Sequence, residues 1–196
     1  MEKNKLELVD EFGELKFPSQ VLKNFLGLVT HKKSSFENMI PKKILNFLKK
    51  NKISFEIISH KKVYTAFDKV RTLKNSPQSV AKVVFLKAKN KIFAFVLSAS
   101  QKLDLKKAKK FLKEKEVKIA SEKIIQNKIK GFKLGAIPPF EEILKIPVFF
   151  EKKLLKLKEV ILPAGDWQSS LKLKKEELKK IVKKERIGDF FQKKGE

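Results

Sequence analysis

Two stretches of the chain have residue types and spacing that could do chemistry. The first is Gly135-Ala136-Ile137-Pro138-Pro139-Phe140. Gly tolerates backbone angles that other residues avoid. Each Pro removes an N–H and sets its own φ, and the residue before each Pro is pushed out of the helical region. The run therefore predicts a stiff, extended wall whose carbonyls and few N–H groups point in set directions. An ordinary turn is the plain alternative to such a wall. The second is Lys82, within Val80-Ala81-Lys82-Val83-Val84-Phe85-Leu86. This run is apolar on both faces of a strand, and an ammonium there is costly unless it reaches water, an acid or a ligand. A lysine snorkelling from the strand end and a lysine binding substrate both meet that requirement.

Other chemistries have little material. The chain has no Cys and two His, so disulfides and thiolate metal sites are excluded, and no Ser-His-Asp or Cys-His arrangement is visible. Neither a His-x-x-x-His pair nor a carboxylate cluster points to a metal. With no Gly-x-Gly-x-x-Gly and no Walker loop, no dinucleotide or NTP is indicated, and no cofactor is expected. His31 has no neighbouring candidate ligand and reads as a solvated or packing histidine.

The elements that must position Lys82 and the Gly135 loop follow from local patterns. Pro41 opens a helix carrying Ile44, Leu45, Phe47 and Leu48 at helical spacing, and Asn51-Lys52 ends it. Phe55, Ile57 and Ile58 suggest a strand. Thr65-Ala66-Phe67-Asp68 has the capping-box form, with Asp in place of Glu, and starts a short helix. Residues 80–88 and 91–97 read as a hairpin turning at Lys89-Asn90. Asp104 caps a helix whose expected core side is Leu105, Ala108, Phe111 and Leu112. A short strand at 117–120 follows, then a helix capped by Ser121 that carries Ile124 and Ile125. After the Gly131–Phe140 loop come strands near 146–150, 159–163 and 170–173, and a helix at about 174–184 with Leu178, Ile181 and Val182 inward. Strands and helices mix without a regular βαβ repeat. The expected class is therefore α+β: a mixed, mainly antiparallel sheet surrounded by helices.

The expected organisation is an extension of unknown role at 1–37, with one short helix near 18–28, a domain at 38–184, and a charged tail at 185–196. Phe190 and Phe191 leave that tail free either to fray or to dock. No apolar stretch approaches the ~18 residues that span a bilayer, and Met1-Glu2-Lys3-Asn4-Lys5 leads into no signal core. A cytoplasmic protein without a membrane partner is expected. The net charge is +25, from 47 basic and 22 acidic residues, which favours a polyanionic partner, nucleic acid first. All the basic residues but Arg71 and Arg186 are lysine, a skew that base composition can produce, although it does not explain the excess over acids. Scarce Arg argues against bidentate base reading and for attraction to phosphates. DNA is not expected.

Taken in order, several of these segments resemble the YbaK/ProX family of aminoacyl-tRNA deacylases, related to the editing insertion domain of bacterial prolyl-tRNA synthetases. The resemblance runs from about Ile40 to Lys184. It is carried by His60, Tyr64-Thr65-Ala66, Ser79 to Leu86, Leu103-Asp104-Leu105-Lys106-Lys107, the Gly-x-x-x-Pro loop from Gly135 to Pro139, Ile146-Pro147-Val148-Phe149, and Pro163-Ala164-Gly165-Asp166. It implies a hydrolase that edits in trans. Such an enzyme cleaves the ester of a small, wrongly attached amino acid on tRNA by positioning and carbonyl polarisation, without a protein nucleophile.

On that resemblance the catalytic residues are Lys82, Gly135 and Pro139, with Lys82 falling on the family's essential lysine. His60, Tyr64, Ile137, Pro138, Phe140, Ala164 and Gly165 neighbour the substrate. Partners implied are the aminoacylated tRNA 3′ end and an aminoacyl-tRNA synthetase. Two departures stand out. Lys61 replaces the usual Pro after His60, leaving structural and catalytic roles for that histidine both open. Asp166-Trp167-Gln168-Ser169 stands where many relatives carry small polar residues with a His, and Trp167 either narrows the pocket or covers the sheet edge. A non-catalytic RNA- or ribosome-associated module on the same fold is the alternative function.

Overall fold

A computed structural model of the chain describes residues 40–192. The expected helix at 18–28, His31 and residues 193–196 lie outside the described residues. Helix α1 (Lys42–Lys50) follows Pro41 and buries Ile44, Leu45, Phe47 and Leu48 while its lysines stay outside. Strand β1 (Glu56–Ser59) leads by a loop into α2 (Ala66–Leu73), where the Thr65 side chain accepts the Asp68 N–H as an N-cap. Strands β2 (Ala81–Ala88) and β3 (Lys91–Ser98) pair antiparallel from Ala81↔Ser98 to Ala88↔Lys91.

Beyond the hairpin, the Asp104 carboxylate caps α3 (Leu105–Leu112) by accepting the N–H groups of Lys106 and Lys107. Strand β4 (Lys118–Ile119), α4 (Glu122–Lys128), α5 (Glu141–Leu144), β5 (Val148–Glu151), β6 (Glu159–Pro163), β7 (Ser169–Lys174), α6 (Lys175–Ile181) and β8 (Ile187–Gly188) complete the order. One sheet is antiparallel, in the order β1-β7-β6. The other runs β4-β2-β3-β5-β8, antiparallel at its first two pairings and parallel at β3–β5 and β5–β8. The expected mixed, mainly antiparallel α+β class is the class observed.

The two sheets meet beside the candidate site. Val80 bridges Ile161. The Ile161 N–H donates to the Ser79 carbonyl at 2.8 Å, and the Ala99 N–H donates to the Val80 carbonyl at 2.7 Å. Under this seam Val80, Ala99 and Ile161 form a small cluster against Ala66, Val70 and Leu73, which seats α2 on the junction. The main core lies between the sheets and α1. A second cluster of Leu86, Phe95, Leu97, Phe149 and Phe190 fills the other face of the five-stranded sheet.

Two local expectations differ from what is observed, and the alternative left open for the tail is decided. Leu105 and Phe111 are more than one-third exposed, because α3 is a short peripheral helix that inserts only Ala108 fully. The Ser121 hydroxyl makes no cap bond, although its backbone begins α4. The tail docks. β8 extends the sheet, and Phe190 is fully buried, edge-on to Phe95 and to Phe111 at 4.9 Å each. The Phe190 N–H donates to the buried Glu151 carboxylate at 2.6 Å. Farther back, Arg186 and Lys183 both pair with Glu141. Burial pushes the Glu141 carboxyl up, but hydrogen bonds from Arg186, the Val148 N–H and Lys183 outweigh it and hold the group below its ordinary range. Phe190 is thus a core residue, and Phe190→Ala is expected to destabilise the fold by about 3–5 kcal/mol. Urea unfolding of the variant beside wild type measures this, and a loss under about 1 kcal/mol would show the tail to be dispensable.

Candidate functional site

Three chain segments close together to form one layer beside the seam. They are the loop 60–65 after β1, the Gly-x-x-x-Pro loop, and the turn 164–168 between β6 and β7. Their ties are mostly backbone. The Gly165 N–H donates to the Ala136 carbonyl at 2.7 Å, and the Gly165 carbonyl accepts the Lys133 N–H at 3.2 Å. The Val63 and His60 N–H groups donate to the carbonyls of Trp167 and Gln168. Trp167 adds its indole N–H, donated to the Leu134 carbonyl at 2.7 Å.

Gly135 sits at the centre of this layer with φ +77°, and a Cβ there would overlap the Tyr64 carbonyl oxygen. Both conditions exclude other residues. The close approach at Gly135 is therefore to the chain's own backbone. Among the described residues, its N–H has no backbone acceptor. Gly165, at φ +90°, is packed just as tightly: a Cβ would fall 2.9 Å from the Phe132 ring and 3.0 Å from Pro41.

The other sequence-predicted residues divide into two groups. Ile137, Phe140 and Ala164 are buried in the main core, and the Phe140 ring lies 4.9 Å from that of Phe47. Pro138 and Pro139 are buried beside them. These five hold the wall from behind. Tyr64 is 54% exposed and meets Trp167 edge-on at 4.8 Å, so Trp167 packs on Tyr64 rather than on the sheet edge alone.

Lys82 lies across the start of α2 from the loop. Phe67, one turn after Tyr64, is 55% exposed, and its ring is 6.0 Å from Lys82 Nζ. The ammonium donates to the Ala99 carbonyl at 3.2 Å, and burial lowers its pKa. Among the described residues no carboxylate pairs with it. Lys82 also borders a cleft of about 760 Å³ whose apolar side is Val84, Leu103, Leu105 and Ile119 and whose rim carries Lys102 and Lys106. Gly135 lies against the Tyr64 carbonyl, Phe67 follows Tyr64 by three residues in the chain, and the Phe67 ring stands near Lys82.

His60 is held at both ring nitrogens. Nδ1 lies 2.8 Å from the Lys61 carbonyl and Nε2 lies 2.9 Å from Ser170 Oγ. A carbonyl only accepts, so Nδ1 carries the proton. Burial lowers the His60 pKa, the bond to Lys61 opposes this, and the charge of Lys69 lowers it further. The neutral ring therefore accepts the Ser170 hydroxyl at Nε2 and clamps the loop to β7.

Lys69 escaped sequence reading. It flanks the Ala66/Val70/Leu73 stripe of α2 and is only 5% exposed. Its pKa falls to about 8 through burial alone. The signal was a lysine at an inward helical position. Between pH 8 and the ordinary lysine value of 10.5, the unfolded chain holds a proton at Lys69 that the folded chain has released. Stability therefore rises with pH across that window, by on the order of 3 kcal/mol for this group. Below pH 8 the charged ammonium bears its full burial cost. Lys69→Met is expected to be more stable than wild type at pH 7 and to lose this rise. Denaturant midpoints across the pH series measure both, and a destabilised variant would show that Lys69 has a partner.

The family model for the aminoacyl-tRNA editing domain matches residues 60–181. No curated protein sequence is significantly similar to this one. Several solved structures share the fold. Hypothetical protein APE2540 superposes with a TM-score of 0.68 at 17% identity, covering 76% of this chain and 99% of its own. A protein proposed as a trans-editing enzyme for prolyl tRNA synthetase superposes at 0.66 and 17%, covering 78% of this chain and 96% of its own. A proposed signal transduction protein from Marinobacter aquaeolei VT8 superposes at 0.60 and 16%, covering 79% of this chain and 31% of its own. No helix of the described residues is long and apolar enough to cross a membrane, and no group of three or more His, Cys, Asp or Glu among them could hold a metal. With the family model spanning well over half of the chain and the motif-bearing segments folded into one layer, this chain belongs to the aminoacyl-tRNA editing domain family, of the YbaK/ProX type.

Proposed function

We propose that the protein is a deacylase that hydrolyses the ester of a small amino acid wrongly attached to tRNA, acting in trans on free aminoacyl-tRNA in the cytoplasm. The domain at 38–184 carries the site, and an aminoacyl-tRNA synthetase is the candidate partner. The observation that carries this reading is Lys82: a half-buried ammonium that, among the described residues, meets a carbonyl and the Phe67 ring but no carboxylate. A buried cation without a carboxylate is costly to fold, and an incoming anionic or ester group would offset that cost.

In the reaction, water attacks the ester carbonyl carbon and the carbonyl oxygen gains charge. The bond to the ribose oxygen then breaks, and that oxygen takes a proton. The products are the free amino acid and a tRNA with a free terminal hydroxyl. Lys82 holds the terminal phosphate or the ester by charge. The Gly135 N–H faces the developing oxyanion, and Pro138 and Pro139 keep the wall from yielding. No side-chain nucleophile is needed, because the ester is already activated. Selection by size alone is weak, at ~1–3 kcal/mol per methylene, so a few residues beside the Gly135 loop are enough to set the preferred amino acid.

A panel of tRNAs charged with Ala, Ser, Cys, Thr or Pro tests the reading. Wild type should release at least one of them, and Lys82→Ala should slow that release by about 100-fold or more while melting no lower than wild type. A Lys82→Ala variant of full activity would remove this residue from the mechanism. RNA binding without release of any amino acid would favour the non-catalytic module instead.

Lysines rather than arginines make up the charge, so binding should depend on phosphates more than on bases. The affinity for tRNA should fall with salt, with a log–log slope of about −0.7 to −0.9 per phosphate contacted, and vary little between tRNAs. Titrations of several tRNAs across a salt series check this; discrimination that persists at high salt would contradict it.

A further inference from the structure

Beside the candidate site lies a row of rings and ammonium groups of which the proposed hydrolysis calls on Lys82 alone. Tyr64 and Phe67 flank the start of α2 and are the most exposed aromatic side chains among the described residues, at 54% and 55%. Trp167 stands edge-on to Tyr64, its ring fixed by the bond to Leu134. Each ring has a lysine near its face. Lys62 Nζ is 5.4 Å from the Tyr64 centroid and 5.0 Å from that of Trp167. Lys133 Nζ is 5.5 Å from Trp167, and Lys82 Nζ is 6.0 Å from Phe67. Past Lys82 the row opens into the lysine-rimmed apolar cleft.

Exposed large aromatics are costly to leave in water, and packing does not account for them here, since the α2 core contacts run through Ala66, Val70 and Leu73. Rings alternating with cations suit one class of ligand well. An unpaired nucleic-acid strand offers flat bases for stacking and a phosphate after each base for the ammonium groups. A duplex hides its bases and offers only phosphates. An acidic peptide would use the lysines but leave the rings without partners.

We infer that Tyr64, Phe67 and Trp167, with Lys62, Lys133 and Lys82, form a stacking platform for a single-stranded RNA segment that leads into the candidate site. The platform grips successive bases without reading them, because each base has a face to stack and no Arg lies among these residues to read an edge. The inference extends the deacylase reading by assigning residues to the strand ahead of the ester, and its test uses RNA that carries no ester.

The test uses the full chain with a short, unpaired RNA oligonucleotide that carries no amino acid, beside a blunt hairpin of the same composition. Trp167 is the sole Trp and Tyr64 the sole Tyr, so selective excitation reports on Trp167 alone. The unpaired strand should quench Trp167 and should hold its affinity better than the hairpin at high salt, where phosphate contacts are screened. Phe67→Ala and Tyr64→Ala should each weaken strand binding roughly 5- to 150-fold and leave hairpin binding unchanged. Phe111→Ala, a partly exposed ring that meets Phe149 and Phe190 but none of these three rings, serves as control and should change neither. Thermal melting confirms that the variants fold. Absence of quenching, equal binding of strand and hairpin at high salt, or ring variants within about twofold of wild type would each overturn the platform. If mischarged tRNA is hydrolysed while these variants bind the strand normally, the platform alone fails; if the strand stacks but no ester is cleaved, the deacylase reading alone fails.

Discussion

The backbone contact between Gly135 and the Tyr64 carbonyl is the constraint on which the candidate site depends. It can form only where there is no Cβ and where φ is positive, so one atom's absence lets two loops lie against each other. Once they do, Gly165 closes the layer by exchanging hydrogen bonds with Ala136 and Lys133, and Trp167 pins Leu134 from the side. The rigidity of Pro138 and Pro139 then acts on this layer as well as on the wall itself, because both are buried against the core that carries Ile137 and Phe140. A wall built in this way needs no side-chain functional group, in keeping with a chemistry of positioning and polarisation.

The second theme is charge held where it is expensive. In a chain with net charge +25, most lysines lie in water and cost little. Lys82 and Lys69 do not. Both have pKa values lowered by burial, and both belong to the region around α2. Lys82 borders the cleft, whereas Lys69 is buried and its charge acts on His60, helping to keep that ring neutral. The neutral ring holds Ser170 and, through it, the loop that carries Tyr64. Stability is given up around one short helix, a pattern expected where a site is held ready for a ligand.

The fold tolerates wide divergence of sequence. At 17% identity the relatives still superpose over most of their length, because the two sheets and their seam rest on apolar pattern rather than on particular side chains. Trp167 brings both a ring and an indole N–H, and its contacts with Tyr64 and Leu134 bind the two loops to each other.

Local rules were enough for much of this protein. The Thr65 and Asp104 caps, the hairpin around Lys89-Asn90, the buried side of α1 and the odd place of Lys82 all follow from neighbours within a turn or a strand, where periodicity and capping chemistry operate. Lys82 and the Gly135 loop were legible as unusual for the same reason, since each violates a local expectation. Other features required the tertiary structure. Which carbonyl lies over Gly135, the parallel pairing of β5 and β8, the docking of Phe190 and the burial of Lys69 all join residues far apart in the chain. Helical spacing places Lys69 beside an apolar stripe but cannot say whether a loop covers it, and a proline-rich run announces stiffness but not what it leans on. Sequence alone thus determined the elements and the residues that break their pattern, because those signals are short-range. Only the packing of loop upon loop decided which of those residues share a site, because a long-range contact is set by the whole core and not by any one segment.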